Sequence, residues 1–405
     1  MEDDTEITGM LKGLSILDLA DAKGSFCSKL LADMGARVIK VEKPCDHATR
    51  SFSLPAEGQL SPRDGPLFFY LNNNKLGITL NLETPDGRLL FLRLLKENDV
   101  VIESFPVGYL GKNRLDFNSL KQVNPGLIMA SITGFGQTGP RKDYSPCDIV
   151  LSAFGGHMSV SGSPSRGPIR LFGDQSYFAS SLFMASSIII ALRNRRITGQ
   201  GAHLDISIQE SVTATLDHVM PSFFSDGIIA GRRGSFTWNN MFTILPCKDG
   251  FIQVSLFYQW ETLVEWLDNE GMSADLTDKK WLDEDYRGKN ISHVTEILSR
   301  WSKKHPVHEL FTLGQSMHFP WAPVQSVRDL INCPQLKARS FFIPVHHSGS
   351  KKPVQYPGTP FTIKGMRTGP QSGVPKRGRD NFKIYHDELG ISKEELEILS
   401  RNNII

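Results

Sequence analysis

"GLSILDLADAKGSFCSKLLADMGARVIKVE", residues 13–42, decides the fold. "LSILDLA" (14–20) alternates as a strand does. "SFCSKLLADMGA" (25–36) has helical spacing and stops at a glycine. "RVIKVE" (37–42) is a strand again. That is one β-α-β unit, and the pattern recurs downstream. "LGITLNL" (76–82) reads as a strand, and "TPDGRLLFLRLLKEND" (84–99) as a helix with Thr84 as cap and Pro85 in its first turn. "VVIES" and "LIMASITGFG" follow as strands. The alternation predicts an α/β fold, with a parallel sheet covered by helices.

Beyond residue 220 the texture changes. "DGIIAGRRGS" is loop-like, and "FTILPCKDGFIQVSL" reads as two strands about a Lys-Asp-Gly turn. Tryptophan-bearing amphipathic helices follow. We expect residues 225–325 to form a second, smaller domain.

Composition narrows the class. The 405 residues are 40% hydrophobic and 22% charged, as a soluble globular chain is. Lys+Arg 45 against Asp+Glu 43 leaves +2, so no global field suggests nucleic acid or a membrane surface. No charge-free apolar stretch reads as a bilayer span, and the acidic start does not resemble a targeting peptide. Five scattered cysteines fit neither a disulfide framework nor a Cys-x-x-Cys metal site, so a reducing cytoplasm is expected.

Several motifs need weighing. "GFGQTG" (134–139) matches G-x-G-x-x-G, but Pro140 and "RKDYSP" follow instead of a helix, so no helix N-terminus meets a pyrophosphate. The first β-α turn, where a dinucleotide fingerprint belongs, has none. His157, His346 and His347 have no partner at metal spacing, and Cys45-Asp46-His47 reads as a loop rather than a nucleophile pair. Asp174 is sharper. It follows Gly173 and heads an apolar run that reaches Leu192 before any further charge, and it reads as one long helix over about 175–195. By residue type alone Asp174 is a helix N-cap.

Block order adds a further reading. "GLSILDL…LLADMGARVIKVEKP…R", "LNNNKLGITLNLETPDGR", "DVVIESFPVGYLGK", "NPGLIMASITGFGQTGP" and "GDQSYF…IIALRNRRITGQGAHLDISIQES", with "FPWAPVQSVRDLINCPQL" and "VQYPGTPFTIKG" later, resemble the family III CoA-transferases. The likeness covers nearly the whole chain. The turn "DAKG" is similar to that of subunits of benzylsuccinate-type CoA-transferases.

The resemblance implies a Rossmann-like large domain built from both chain ends, residues 1–224 and the 326–405 return, an inserted small α+β domain at 225–325, and two subunits interlocked as rings, as a homodimer or as a heterodimer with a paralogous subunit. It implies CoA transfer from an acyl-CoA to a free carboxylic acid, with the CoA thioester as substrate and no resident cofactor. Asp174 matches the family's nucleophile, and the helix dipole would favour its ionised form. Lys43 and Lys112 match positions that meet the nucleotide phosphates, with Arg141 and Lys142 as further candidates. Leu80, Ser104 and Phe105 match positions along the adenine and pantetheine path. Amides near Gly155, Gly156 or Gly173 are candidates for the oxyanion site.

There are departures. The first turn lacks the family's Gly-Pro pair, and "RRGSFTWNNMF", with two aromatics, replaces the glycine-rich loop of formyl-CoA transferase, which points to a bulkier acyl group than formyl or oxalyl; a dicarboxylic or aromatic acid is the expected substrate. The related α-methylacyl-CoA racemases need a histidine base where Cys147 stands, before Asp148. A non-catalytic subunit is the other alternative.

Overall fold

The computed structural model describes residues 9–44, 65–236, 242–256, 258–347 and 352–405. The Cys45-Asp46-His47 loop and residues 237–241 lie outside them. The chain divides into two compact units: Met1–His157, Arg170–Pro221 and Gln335–Ile405 form one, Met158–Ile169 and Ser222–Pro334 the other. The second unit therefore takes in a short segment near residue 160 as well as the stretch expected at 225–325, and runs on to Pro334.

The first unit is organised on six parallel strands: β1 (Ser15–Asp18), β2 (Arg37–Glu42), β3 (Leu76–Thr79), β4 (Val100–Glu103), β5 (Ile128–Thr133) and β6 (Ala202–Ser207), in the order β3-β2-β1-β4-β5-β6. Helix Ser25–Asp33 links β1 to β2, and helix Pro85–Lys96 links β3 to β4. Thr84 caps the latter by accepting the Gly87 N–H at 3.1 Å, with Pro85 in its first turn.

Strand alternation separates two cores. Leu17, Ile39, Ile78, Val101 and Met129 pack with Phe91, Leu94 and Tyr385 on one face. Ile16, Val38, Val100, Ile102 and Ala130 pack with Leu31, Met184 and Ile188 on the other. Burial on both faces explains why the strands read as apolar runs.

Helix Gln175–Thr198 has 24 residues and ends at Gly199 in the left-handed region, φ +71°. Contrary to our sequence reading, it is long and apolar enough by composition to cross a membrane. It packs instead along helix Ser25–Asp33, β5 and β6, through Ser180, Ser181, Met184, Ala185 and Ile188. The Ala and Ser residues of its buried face permit that close approach.

The C-terminal return closes the sheet's β3 edge. Asp380 donates its N–H to Gly77 O and accepts the Gly77 N–H at 2.6 Å, and Tyr385 Oη donates to Thr79 O at 2.7 Å. A Cβ on Gly77 would stand 2.9 Å from Pro375, so the approach requires glycine there. Covering the edge removes a free row of strand hydrogen-bonding groups.

The second unit holds an antiparallel sheet of β7 (Phe242–Pro246), β8 (Phe251–Ser255) and β9 (Ala322–Pro323). Its core is built on Trp260, Trp281, Trp301 and Trp321. Glu270 fixes part of it by accepting from Trp266 Nε1 at 2.7 Å and Trp301 Nε1 at 2.8 Å.

Candidate active site

Strand order reverses between β2-β1 and β4-β5, and ligands of doubly wound sheets lie at the strand C-termini beside such a switch. A cleft of about 970 Å³ opens there. Of the residues singled out in the sequence, Lys43, Leu80, Ser104, Phe105 and Lys142 line it. Lys112 does not. It is exposed on the short helix Tyr109–Lys112, outside the cleft wall.

Each wall residue is held in place. Ser104 Oγ donates to Asp21 Oδ1 at 2.9 Å and accepts the Asp21 N–H at 2.8 Å, clasping the first β-α turn to the end of β4. The Phe105 N–H donates to Glu103 Oε2 at 2.8 Å, and its ring stacks on Tyr109 with centroids 4.5 Å apart. Leu80 belongs to the core as well as to the wall. Lys43 pairs with Glu83 at 2.7 Å on the rim, and Glu83 holds the Tyr109 hydroxyl at 3.4 Å. Lys23 and Lys40 also line the cleft, Lys23 paired with Asp21 and Lys40 near Asp18, and Glu42 and Asp143 stand in the same lining.

Beneath the cleft lies a buried ion cluster that the sequence reading did not identify. Asp18, fully buried, accepts from Lys75 Nζ at 2.9 Å and from Ser28 Oγ at 2.7 Å, with Lys40 Nζ 3.5 Å away. Burial opposes the Asp18 charge, but Lys40 and Lys75 hold its carboxyl below the usual range. Burial pulls the Lys75 ammonium down to about 8. Burial likewise pushes the Glu103 carboxyl up to about 7, against its hydrogen bonds from Ser131 and Phe105.

Asp174 stands at the N-cap position of helix Gln175–Thr198, but its side chain makes no cap hydrogen bond. The cap comes from elsewhere. Asp148, buried at the start of helix Asp148–Phe154, accepts from Ser176 N–H at 3.0 Å and Ser176 Oγ at 2.5 Å. Burial and then the Asp148 charge push the Asp174 carboxyl up from its ordinary value, and Arg170 draws it back. The direction is opposite to the one expected from the helix dipole alone. Burial, and then the charges of Asp21 and Asp174, push the hydroxyl of Tyr177, one turn on, well up. Phe26 and Phe178 also meet there, 4.5 Å between centroids.

The glycine expectation is corrected in part. The Gly155 N–H is spent on Leu151 O at 2.8 Å and the Gly156 N–H on Ala153 O at 3.2 Å, so neither amide points at a substrate. Gly155 is a packing glycine: a Cβ there would stand 2.3 Å from Val212. Gly173, at φ +77°, remains a candidate.

Other motifs resolve plainly. After β5, "GFGQTG" leads into turns rather than a helix, and Gln137 N–H binds the Asp205 carboxylate. Cys147 is an exposed thiol, and His157 is bonded to Thr215 Oγ1 at 2.7 Å. His347 packs against the Tyr356 hydroxyl at 2.7 Å. Among the described residues no group of three His, Cys, Asp or Glu side chains is placed to hold a metal. Sequence reading missed Asp21, Glu83, Asp148 and Arg170 as site residues. For Asp21 the available signal was its place in the first β-α turn.

A cleft at the switch point of a parallel sheet, lined by four lysines and four carboxylates along a strip of apolar side chains, suits an α/β enzyme for an extended, charged ligand. The chain belongs to CoA-transferase family III, whose sequence profile matches residues 11–381. It is 28% identical over 395 residues to the succinyl-CoA:(R)-benzylsuccinate CoA-transferase subunit BbsE of Thauera aromatica, covering 95% of this chain and 96% of that one. It is 31% identical over 336 residues to the succinate–glutarate CoA-transferase of Agrobacterium fabrum, covering 81% and 83%. A crystal structure of a CAIB/BAIF family protein from Brucella suis superposes with a TM-score of 0.85 at 29% identity, covering 94% of this chain and 99% of that one. The protein is thus a CoA-transferase.

Proposed function

We propose that the protein moves CoA from an acyl-CoA to a free carboxylic acid through covalent intermediates on Asp174. The observation that carries this reading is the Asp174 carboxylate at the helix start, which makes no cap hydrogen bond because Asp148 supplies the cap. An Asp174 oxygen attacks the thioester carbonyl, the C–S bond breaks, and CoA leaves as thiolate from an acyl–aspartyl anhydride. The thiolate then attacks the Asp174 carbonyl of that anhydride, releasing the donor acid and leaving an aspartyl–CoA thioester. The acceptor carboxylate attacks this thioester and expels the thiolate, forming a second anhydride. Thiolate attack on its acyl carbonyl gives the new acyl-CoA and frees Asp174. Each step is an acyl exchange needing no water.

CoA lies in the cleft, with Lys43 and Lys142 toward its phosphates and Leu80, Ser104 and Phe105 along its length. Related chains are named for succinyl-CoA and for dicarboxylic acids, which supports a dicarboxylate among the substrates. The enzyme works in the cytoplasm as an interlocked dimer, with itself or with a paralogous subunit.

The test is acyl exchange over a panel of acyl-CoAs and free acids, read by mass spectrometry. Asp174→Ala and Asp174→Asn should lose turnover while staying folded. A variant that keeps most of its turnover and loses only about 1 kcal/mol of stability would make Asp174 a cap after all.

A further inference from the structure

Two carboxylates meet at the start of helix Gln175–Thr198, where one would suffice to cap it. We propose that Asp148 is a positioning residue of the transfer reaction: it caps the helix from a neighbouring element and tethers Arg170, which leaves the Asp174 carboxylate free to attack. This rests on Asp174 being the nucleophile.

A helix start presents backbone N–H groups without intrahelical partners, and an aspartate at the N-cap normally turns its oxygen back onto one of them. An oxygen held that way is directed into the helix and is poorly placed to reach a thioester. Here the demand is met by Asp148 Oδ1, which takes both the N–H and the hydroxyl of Ser176. Asp148 Oδ2 takes Arg170 Nη1 at 3.1 Å. The same nitrogen donates to Gly173 O at 3.1 Å, so Arg170 pins the left-handed glycine turn that sets the direction of Asp174.

The charges are balanced against each other. Asp148 and Arg170 act on the Asp174 carboxyl in opposite senses, and Tyr177 faces it from the next turn. Asp148 itself also faces His157, and Cys147 precedes it in the chain. If Asp148 loses its charge, Arg170 loses its carboxylate partner. The guanidinium can then pair with Asp174 and occupy the lone pairs that should attack. The Asp174 carboxyl becomes more acidic at the same time, since the like charge is gone and the opposite charge is nearer.

The experiment uses the full-length enzyme with its acyl-CoA and acid substrates, measured as kcat and KM across pH with melting temperature alongside. Asp148→Asn keeps an oxygen for the Ser176 cap but removes the charge. We expect kcat to fall about 10²-fold, the scale of a misplaced reacting group. KM for the acyl-CoA should stay within about twofold and the acid limb of the kcat profile should move to lower pH. Asp148→Glu should recover part of kcat. Arg170→Gln should move the acid limb the other way, to higher pH.

A solely structural Asp148 would lower the melting temperature while kcat per folded site and the acid limb stayed in place, which overturns the proposal. Should Asp148→Asn fail to fold, an unmoved acid limb in Arg170→Gln overturns it equally. Failure of the underlying nucleophile reading looks different: Asp174→Asn itself would then turn over.

Discussion

At the scale of single residues, the site depends on which group makes which hydrogen bond. Asp174 was legible as an unusual aspartate, but residue type pointed to a cap, and only the family likeness pointed to a nucleophile. The division of labour with Asp148 could not be read from sequence. It depends on a helix whose Asp148 lies 28 residues upstream being brought against the Ser176 amide. Lys43 and Lys112 are a similar pair: both matched by type, but only Lys43 lies in the cleft wall. Neutralising Lys43 should therefore weaken calorimetric binding of free CoA, by less as salt is raised, because a phosphate contact to an exposed lysine is screened. Lys112→Ala should leave CoA affinity unchanged, and equal losses in both would place Lys112 back in the site.

Glu103 gives a second prediction at this scale. Its carboxyl, raised to about 7 by burial, holds the Phe105 amide at the cleft wall. The folded value lies above the unfolded one, so folding favours the protonated acid. The stability this gives is present in full below the unfolded value of about 4.5, and is lost as pH rises through about 7. Glu103→Gln keeps an acceptor and removes the titration. Its melting temperature minus that of the wild type should rise across that window. A constant difference would show that Glu103 is not titrating there.

At the scale of elements, the apolar periodicity of residues 13–42 and the Thr84-Pro85 start were readable because local chemistry determines them. The strands proved shorter than the apolar runs: β1 is Ser15–Asp18 within an expected 14–20. What remained hidden was charge inside the sheet layer. Asp18, Lys40 and Lys75 look like the polar positions of half-exposed strands, yet all three are buried. Their pairing joins β1, β2 and β3 across residues far apart in sequence. Lys75→Met, of similar length, leaves Asp18 with Lys40 as its one nearby cation, at the longer distance, beside the Ser28 hydroxyl and the Ala20 N–H. Removing one partner of a buried ion pair costs about 3–5 kcal/mol, so we expect a loss of that order in denaturant unfolding. A neutral result would mean that Lys40, Ser28 and Ala20 suffice for Asp18.

At the scale of the molecule, the first unit is completed by a return of the chain after a second unit of more than a hundred residues has intervened. Asp380, Asn381 and Tyr385 are bonded to β3, and Asn81 N–H to Ile404 O. The sequence showed the texture change near residue 225. It did not show that the return would close the β3 edge, because Asp380, Asn381 and Tyr385 meet backbone groups of β3 some three hundred residues away, a pairing that no local pattern marks. The same unit leaves apolar side chains uncovered, with Phe172 97% exposed and Ile190 and Ile197 more than half exposed. Exposed apolar side chains of that kind suit the proposed contact with another chain. In an interlocked dimer, separation requires one chain to open, and the C-terminal return is a segment that would have to detach. Sedimentation should thus find a dimer that persists on dilution to nanomolar concentration, and dissociation should coincide with unfolding. Coexpression with a paralogous subunit would distinguish a heterodimer, which it should rescue, from a homodimer, which needs no help. A folded monomer, or labelled subunits that exchange within minutes, would rule out the interlocked assembly and leave those apolar side chains to some other partner.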